Sequence, residues 1–323
     1  MSSDLWVITS YFNPARFATK RRNFDAFMAG MDRAAANVLV AELAFGSDPF
    51  ELEPGSRVIQ LRGGDVMWQK ERLLNIAAAR LPGSCRKVAW LDADILFDEP
   101  DWLQRTSEAL ETHVVVQPFS QAVRLGRDNR EVEGVVPDES FAACFARDPS
   151  LAKKASFFDH GHTGYAWAAR RELFDRCGLY DACLTGANDH LMAHLFAGSA
   201  LQSHCIRRTI GDSPAFADHF RSWAYAAWDV VGGSLGLVAG RIRHRWHGEV
   251  ADRRYSLLDQ QFKTFGFDPA KHLRHDAHGL WEWADAPASM RSWAAAMFDM
   301  RKEDGDRAEP DAAALHGAAG RVA

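Results

Sequence analysis

Val88-Ala89-Trp90-Leu91-Asp92-Ala93-Asp94-Ile95-Leu96-Phe97 decides how this chain is read. Four apolar residues make a buried strand, and two carboxylates spaced i, i+2 follow at its carboxyl end. At strand geometry both project to one face of the sheet. The apolar run then resumes at Ile95. Unpaired buried carboxylates are costly, so this setting calls for a counter-ion. A divalent cation carrying a diphosphate supplies one, because hard cations take carboxylate and phosphate oxygens together. The competing reading is a strand-end Asp that caps the next helix beside a solvated neighbour. The spacing alone leaves both open.

Working outward, strands alternate with helices. Residues 5–11 (LWVITSY) read as a strand ending in the loop Phe12-Asn13-Pro14, and 16–31 as an amphipathic helix. Residues 38–43 and 58–61 read as strands, the latter followed by the turn Gly63-Gly64. A helix over 69–81 stops at Pro82-Gly83, another spans 101–111, and 114–119 (VVVQPF) is a strand. This order predicts a mostly parallel, doubly wound sheet, which places ligands at the carboxyl ends of the strands. Asn13, Glu42, Gly63-Gly64 and Asp92/Asp94 all fall at those ends, so a shared cleft is expected. Loops and short helices are expected over 126–156. The Gly161–Gly164 loop, the apolar stretch 165–169 and helices over 170–177 and 187–196 follow. A further strand lies within 235–246, and the charged, then Ala/Gly-rich tail beyond Arg301 is expected to fray.

The 323 residues, 47% of them hydrophobic, suffice for a large core, and a net charge of -5 argues against a general nucleic-acid binder. Five scattered cysteines (Cys85, Cys144, Cys177, Cys183, Cys205) form no C-x-x-C pair and read as reduced thiols of a cytoplasmic-type compartment. The N-terminus lacks a basic region followed by an apolar stretch of signal length, and no apolar run approaches the ~20 residues of a membrane span. A cytoplasmic location is therefore expected.

In this order the pieces resemble the nucleotide-sugar glycosyltransferases of the GT-A fold, family 2-like, over residues 5–255. The resemblance is carried by LWVITSYFNP at 5–14, the strand ending in Glu42, WQKERLLN at 68–75, WLDAD at 90–94, GHTGYAWAARRELFDRCGLYD at 161–181, ANDHLMAHLF at 187–196 and HRWHG at 244–248. It implies an α/β, Rossmann-like, mostly parallel sheet flanked by helices, with C-terminal helical additions. Residues 1–250 would form the transferase domain, 251–302 a helical extension packed on it, and 303–323 a flexible tail.

What the resemblance implies about the site follows residue by residue. Tyr11, Phe12, Asn13 and Glu42 would hold the nucleotide base and ribose, and a carboxylate suits a base N–H donor, so UDP is favoured. Lys70, Arg72 and Asn75 would help to hold the donor, Lys70 as a point charge and Arg72 bidentately. Asp92 and Asp94 would be the metal pair for Mn²⁺ or Mg²⁺, Asp94 binding directly and Asp92 facing the ribose or a metal-bound water. His247 would complete the set, with His244 as the alternative, since an i, i+3 pair on a strand points to opposite faces. Arg253 and Arg254 would clamp the diphosphate.

Asp189 would be the general base for an acceptor hydroxyl, at a helix N-terminus that depresses its pKa. The family's x-E-D pattern is here Asn188-Asp189-His190, so His160 and His162 stand as alternative bases, with Tyr165 and Trp167 as a sugar platform. The implied reaction is metal-dependent, inverting transfer to a carbohydrate or other hydroxyl acceptor. Two other classes stay open: a non-catalytic nucleotide-sugar or carbohydrate-binding protein, and a sugar-phosphate nucleotidylyltransferase. The second would need a glycine-rich loop where Phe12-Asn13-Pro14-Ala15-Arg16 stands.

Overall fold

The computed structural model describes residues 4–154, 156–200, 204–211, 213–253 and 255–305. The apolar N-terminal run forms β1 (Leu5–Phe12). Then come α1 (Ala18–Arg33), β2 (Asn37–Ala44), β3 (Val58–Arg62), α2 (Lys70–Ala79) and β4 (Lys87–Leu91). β4, β1, β2 and β3 lie side by side in parallel, with Trp90 opposite Ile8 and Ile8 opposite Leu39. Side chains alternate across these strands, and both faces are buried. Ile8, Leu39 and Trp90 belong to one core with Leu73 and Leu74 of α2. Val7, Val40 and Ala89 belong to the other, with Phe24, Phe27 and Met31 of α1. A sheet covered on both sides explains why its strands are near-continuous apolar runs.

After Leu91 the chain leaves this sheet. Residues 92–94 form a turn into β5 (Ile95–Phe97), followed by α3 (Trp102–Thr112), β6 (Val115–Gln117), β7 (Gln121–Arg124) and β8 (Asp138–Glu139). The strand expected over 114–119 is thus shorter, and the chain beyond Phe119 enters another sheet. Next are α4 (Phe141–Arg147), α5 (Phe157–His160), β9 (Ala166–Arg170), α6 (Arg171–Arg176), α7 (Asn188–Phe196), α8 (His204–Ile210) and α9 (Pro214–Val231). β10 (Leu235–Leu237) and β11 (Arg241–His244) divide the one strand expected over 235–246. The main sheet has seven strands in the order β10-β6-β9-β4-β1-β2-β3, and β5-β11-β7-β8 form a second. β9 runs antiparallel to β4 and β6; the other pairs of the main sheet are parallel.

The C-terminal part comprises α10 (Tyr255–Lys263), α11 (Pro269–His272), the antiparallel pair β12 (Leu273–His275) and β13 (Trp281–Trp283), and α12 (Ala288–Asp299). It is not helical throughout: the hairpin covers the end of β3, where Gly64 N–H donates to Asp276 and Trp283 N–H to Asp65. Gly63, at φ 146°, admits this approach because a Cβ there would lie 2.4 Å from an Asp276 oxygen. Glu303 and Asp304, expected in the free tail, are held. Asp304 accepts the N–H groups of Ala18 and Thr19 and so caps α1, whose own N-cap Phe17 offers no side-chain acceptor. Residues 306–323 and Arg254 lie outside the described residues. The described cysteines Cys85, Cys144, Cys177 and Cys183 are free thiols, and no described helix is long and apolar enough to cross a membrane.

The longest helix among the described residues, α9, buries Phe216, Phe220, Ala224, Ala227 and Val231 on one face, is capped by Ser213, and ends at Gly232 in the left-handed region. Phe220→Ala is expected to cost about 3–5 kcal/mol, as for other fully buried phenylalanines. Urea unfolding of the two proteins measures this.

Candidate functional site

A cavity of about 730 Å³ opens where β1 and β4 end, with walls from the 161–165 loop, α7, the end of β11 and the C-terminal segment. Its geometry starts at the turn after β4. β5 pairs antiparallel with β11, Ile95 opposite His244, and the Asp94 carbonyl accepts Arg245 N–H at 2.8 Å. Asp94 therefore meets the end of β11. That strand stops at His244, so strict alternation stops there too, and His247 turns back toward it. The two imidazoles share one face instead of pointing apart: His247 Nε2 lies 2.9 Å from His244 Nε2 and 3.2 Å from Asp94 Oδ2, and His244 Nε2 is 3.7 Å from Asp94 Oδ1.

This cluster suits a divalent cation. Burial pushes the Asp94 carboxyl upward, against His247, and among the described residues its buried Oδ1 has no hydrogen-bond partner. Burial also drives His244 well below its usual pKa, reinforced by His247 and Arg253, which keeps it neutral and able to donate a lone pair. One carboxylate and two imidazoles form a donor set for a Mn²⁺-like ion.

Asp92 is not part of that set. Because 92–94 is a turn, the i, i+2 carboxylates diverge. Asp92 Oδ1 lies 2.7 Å from Lys70 Nζ, and its Oδ2 accepts Tyr165 N–H. Lys70 also approaches Asp189 Oδ2 and Glu71 Oε1, each at 3.7 Å. Burial alone would lower Lys70, yet Asp92, Asp189 and Glu71 hold it well above its usual value. Asp189 sits in the first turn of α7 as expected, but its pKa is raised to about 6, not depressed. Burial dominates over the helix terminus and over Lys70. Glu71 is pushed by burial to about 8, and it receives the Trp68 and Asn188 side-chain N–H groups. Asn188 thereby anchors α7 beneath the site.

The remaining expected residues divide into two groups. Tyr11, Phe12 and Arg253 line the cavity. Arg253 Nη2 lies 2.7 Å from His247 Nε2. Asn13 and Glu42 do not line it. They line a small adjoining crevice with Tyr11 and Glu51, where Glu42 accepts the N–H groups of Glu51 and Leu52. Arg72 and Asn75 lie outside the cavity, because the face of α2 that carries them packs on residues 178–181. Arg72 pairs with Asp181, and Asn75 bonds Asp181 and both backbone groups of Leu179. Of the alternative bases, His162 lines the cavity, but burial, Arg124 and Arg253 hold it well below its usual pKa, and its Nδ1 accepts Gly164 N–H. His160 is buried outside the lining. Tyr165 faces the cavity at φ 76° and stacks on His162 at 3.9 Å, whereas Trp167 lies in the core against Trp90 and Phe196.

Several lining residues carry no motif. Lys20 lies over Phe12, Arg301 lies over Trp68, and Phe298 of α12 stacks on Trp68. Glu303 Oε1 accepts Arg301 Nε and lies 3.7 Å from His247 Nδ1. Burial acts to raise Glu303, but Arg301, Lys20 and His247 hold it well below the carboxylate range. The only signal for these in the sequence is the aromatic and charged character of the C-terminal segment, which fixes no location.

No protein-family model and no curated protein matches the sequence. Among solved structures, the catalytic domain of Drosophila β1,4-galactosyltransferase 7 in complex with xylobiose aligns at 12% identity and a TM-score of 0.33, over 60% of this chain and 61% of that one. This chain thus spans about three fifths of that domain. A variant of the same enzyme in complex with manganese, UDP-Gal and xylobiose aligns at 13% and 0.33, again over 60% and 61%. The 4-diphosphocytidyl-2C-methyl-D-erythritol synthase of Anaerococcus prevotii aligns at 10% and 0.34, over 73% and 86%. At such scores these likenesses carry no inference about activity.

Two outcomes follow from this geometry. A Cβ at Gly164 would lie 2.8 Å from Asp189 Oδ2 and 3.2 Å from His162 Cε1, so Gly164→Ala is expected to displace Asp189 from Lys70. A crystal structure of the variant tests this. Glu71 binds its proton more tightly folded than unfolded, so its contribution to stability is lost as pH rises from about 4.5 to about 8. Glu71→Gln is expected to flatten that decline in denaturant titrations across the same pH range.

Proposed function

We propose that this chain moves a sugar from a nucleoside-diphosphate sugar, UDP-linked, to an acceptor hydroxyl with inversion. The observation that carries the reading is one cavity lined both by the Asp94–His244–His247 donor set and by Asp189 beside Lys70. Asp94, His244 and His247 would hold Mn²⁺ or Mg²⁺, which when bound offsets the charge of the diphosphate leaving group. Arg253 and Arg301, in the same lining, supply fixed positive charge for those phosphates, beside Lys20, whose pKa burial lowers. Tyr11 and Phe12 offer ring surface for the nucleoside, and Glu42 and Glu51 stand at the adjoining crevice, where a carboxylate accepts the N–H of uracil.

Asp189 acts on the acceptor. It takes the hydroxyl proton as the acceptor oxygen bonds to the anomeric carbon and the bond from that carbon to the phosphate oxygen breaks. A base with a pKa of about 6 is ionised at neutral pH and still close enough to the operating range to be effective. Lys70 positions it by sharing its charge among Asp189, Asp92 and Glu71. Residues 1–250 carry most of the site, and the segment after 250 closes it through Arg253, Arg301 and Glu303.

Calorimetric titration with UDP and UDP-sugars in the presence of Mn²⁺ tests the donor half. Metal-dependent binding is expected for the wild type, with loss in Asp94→Ala and weakening in His247→Ala. Unchanged affinity in Asp94→Ala would sink the metal assignment. For the acceptor half, Asp189→Asn is expected to lower turnover about 10²–10⁴-fold while sparing donor binding. Wild-type turnover is expected to fall as pH drops through about 6, where Asp189 takes up its proton. Donor binding without any turnover would mark a binding protein instead.

A further inference from the structure

Behind the 161–165 wall lies a second cluster, built from imidazoles alone. His190 and His194 occupy successive turns of one face of α7, and His160 ends α5 against them. Their ring centroids are 4.6 to 5.5 Å apart, and one ligand atom from each lies within 4.8 Å of the others. All three are buried, His160 and His194 fully and His190 to 4% exposure. Among the described residues, His190 has no hydrogen-bond partner for either ring nitrogen, whereas His194 Nδ1 meets Ser199 Oγ at 3.2 Å. Buried polar atoms of this kind are normally satisfied.

Aromatic packing accounts for part of the arrangement. Phe141 lies edge-on to His160 and His194, and Phe157 packs on His190. Packing alone, however, would be served as well by phenylalanine, without the desolvated nitrogens. Burial holds the pKa of all three below the usual value, and neighbouring imidazoles add to this for His190 and His194, so each is neutral, as a metal ligand must be. His160 Nδ1 lies 2.8 Å from the Gly161 carbonyl, the outer contact that orients a ligating imidazole and fixes its tautomer.

We infer that His160, His190 and His194 form a second metal site, separate from Asp94, His244 and His247, that takes a zinc-class transition ion. Three nitrogen donors without a carboxylate favour such an ion over Mg²⁺ or Ca²⁺. The remaining coordination position falls to water or a ligand on the side of His190, which alone of the three lines the main cavity. The ion would fasten α5 to α7, and so set the loop from Gly161 to Gly164 against Asp189.

The test uses the full chain carrying Asp94→Ala and His247→Ala, which disables the first site. Zn²⁺ is titrated in competition with a chromogenic chelator, and Co²⁺ in its place reports the ligand field through its visible bands. Retention of a single Zn²⁺, weakened more than about tenfold by adding His194→Gln, is the expected result. Absence of Zn²⁺ binding, or binding that His194→Gln leaves unchanged, overturns the inference. If the triple variant does not fold, an anomalous map at the zinc edge from wild-type crystals with Zn²⁺ decides. A peak among the three imidazoles supports the site, and a peak only at Asp94 rejects it.

Discussion

The turn at Asp92-Ala93-Asp94 is the constraint on which the rest of the molecule depends. β4 cannot continue in the main sheet, because the next strand, β5, is committed to β11 in another. The exit is held from three sides: Thr9 Oγ1 donates to the Leu91 carbonyl, Asp92 N–H to the Tyr165 carbonyl, and Arg245 N–H to the Asp94 carbonyl. A chain passing from one sheet to another leaves a gap at the crossing, and that gap is the cavity. It also separates two carboxylates that a continuous strand would have aligned, giving one to Lys70 and the other to the histidines.

Charge in this cavity is arranged around a few shared partners. Lys70 serves Asp92, Asp189 and Glu71 together, which keeps it protonated at a depth where a lone ammonium would lose its proton. The same burial lifts Asp189 to about 6 and Glu71 to about 8, so two carboxyls beside one ammonium titrate apart. Separation of this kind is how neighbouring acids take different roles. Glu303 represents the opposite case, a carboxylate kept ionised by Arg301 and Lys20.

The C-terminal segment contributes more than a cover. Phe298 stacks on Trp68, which brings Arg301 over the same ring and delivers Glu303 to His247. Asp304 meanwhile caps α1 from the far end of the chain. The start of α1 and the metal-type cluster are thus tied to one stretch of five residues, 300–304. Hydrophobic periodicity gives no warning of this, because the tie is made by charges and a cap rather than by an apolar stripe.

The alternation of apolar runs and helical spacing, with turn residues between, was sufficient to determine a mostly parallel α/β sheet, since a strand buried on both faces and an amphipathic helix each leave a periodic trace. Asp94, Asp189 and the His244/His247 pair were singled out through the order of motifs that carries the resemblance, and the fold places all four at one cavity. The helix α9 was not anticipated, although its apolar spacing and Ser213 cap are both present in the sequence. Tertiary structure alone decided the rest. It split Asp92 from Asp94, joined both histidines, turned Arg72 and Asn75 away to residues 178–181, gave Glu42 to the 51–52 backbone, and set His160 against α7. Each of these depends on which distant segment fills the neighbouring space, and pKa values depend on how much water that segment excludes. Local sequence encodes neither.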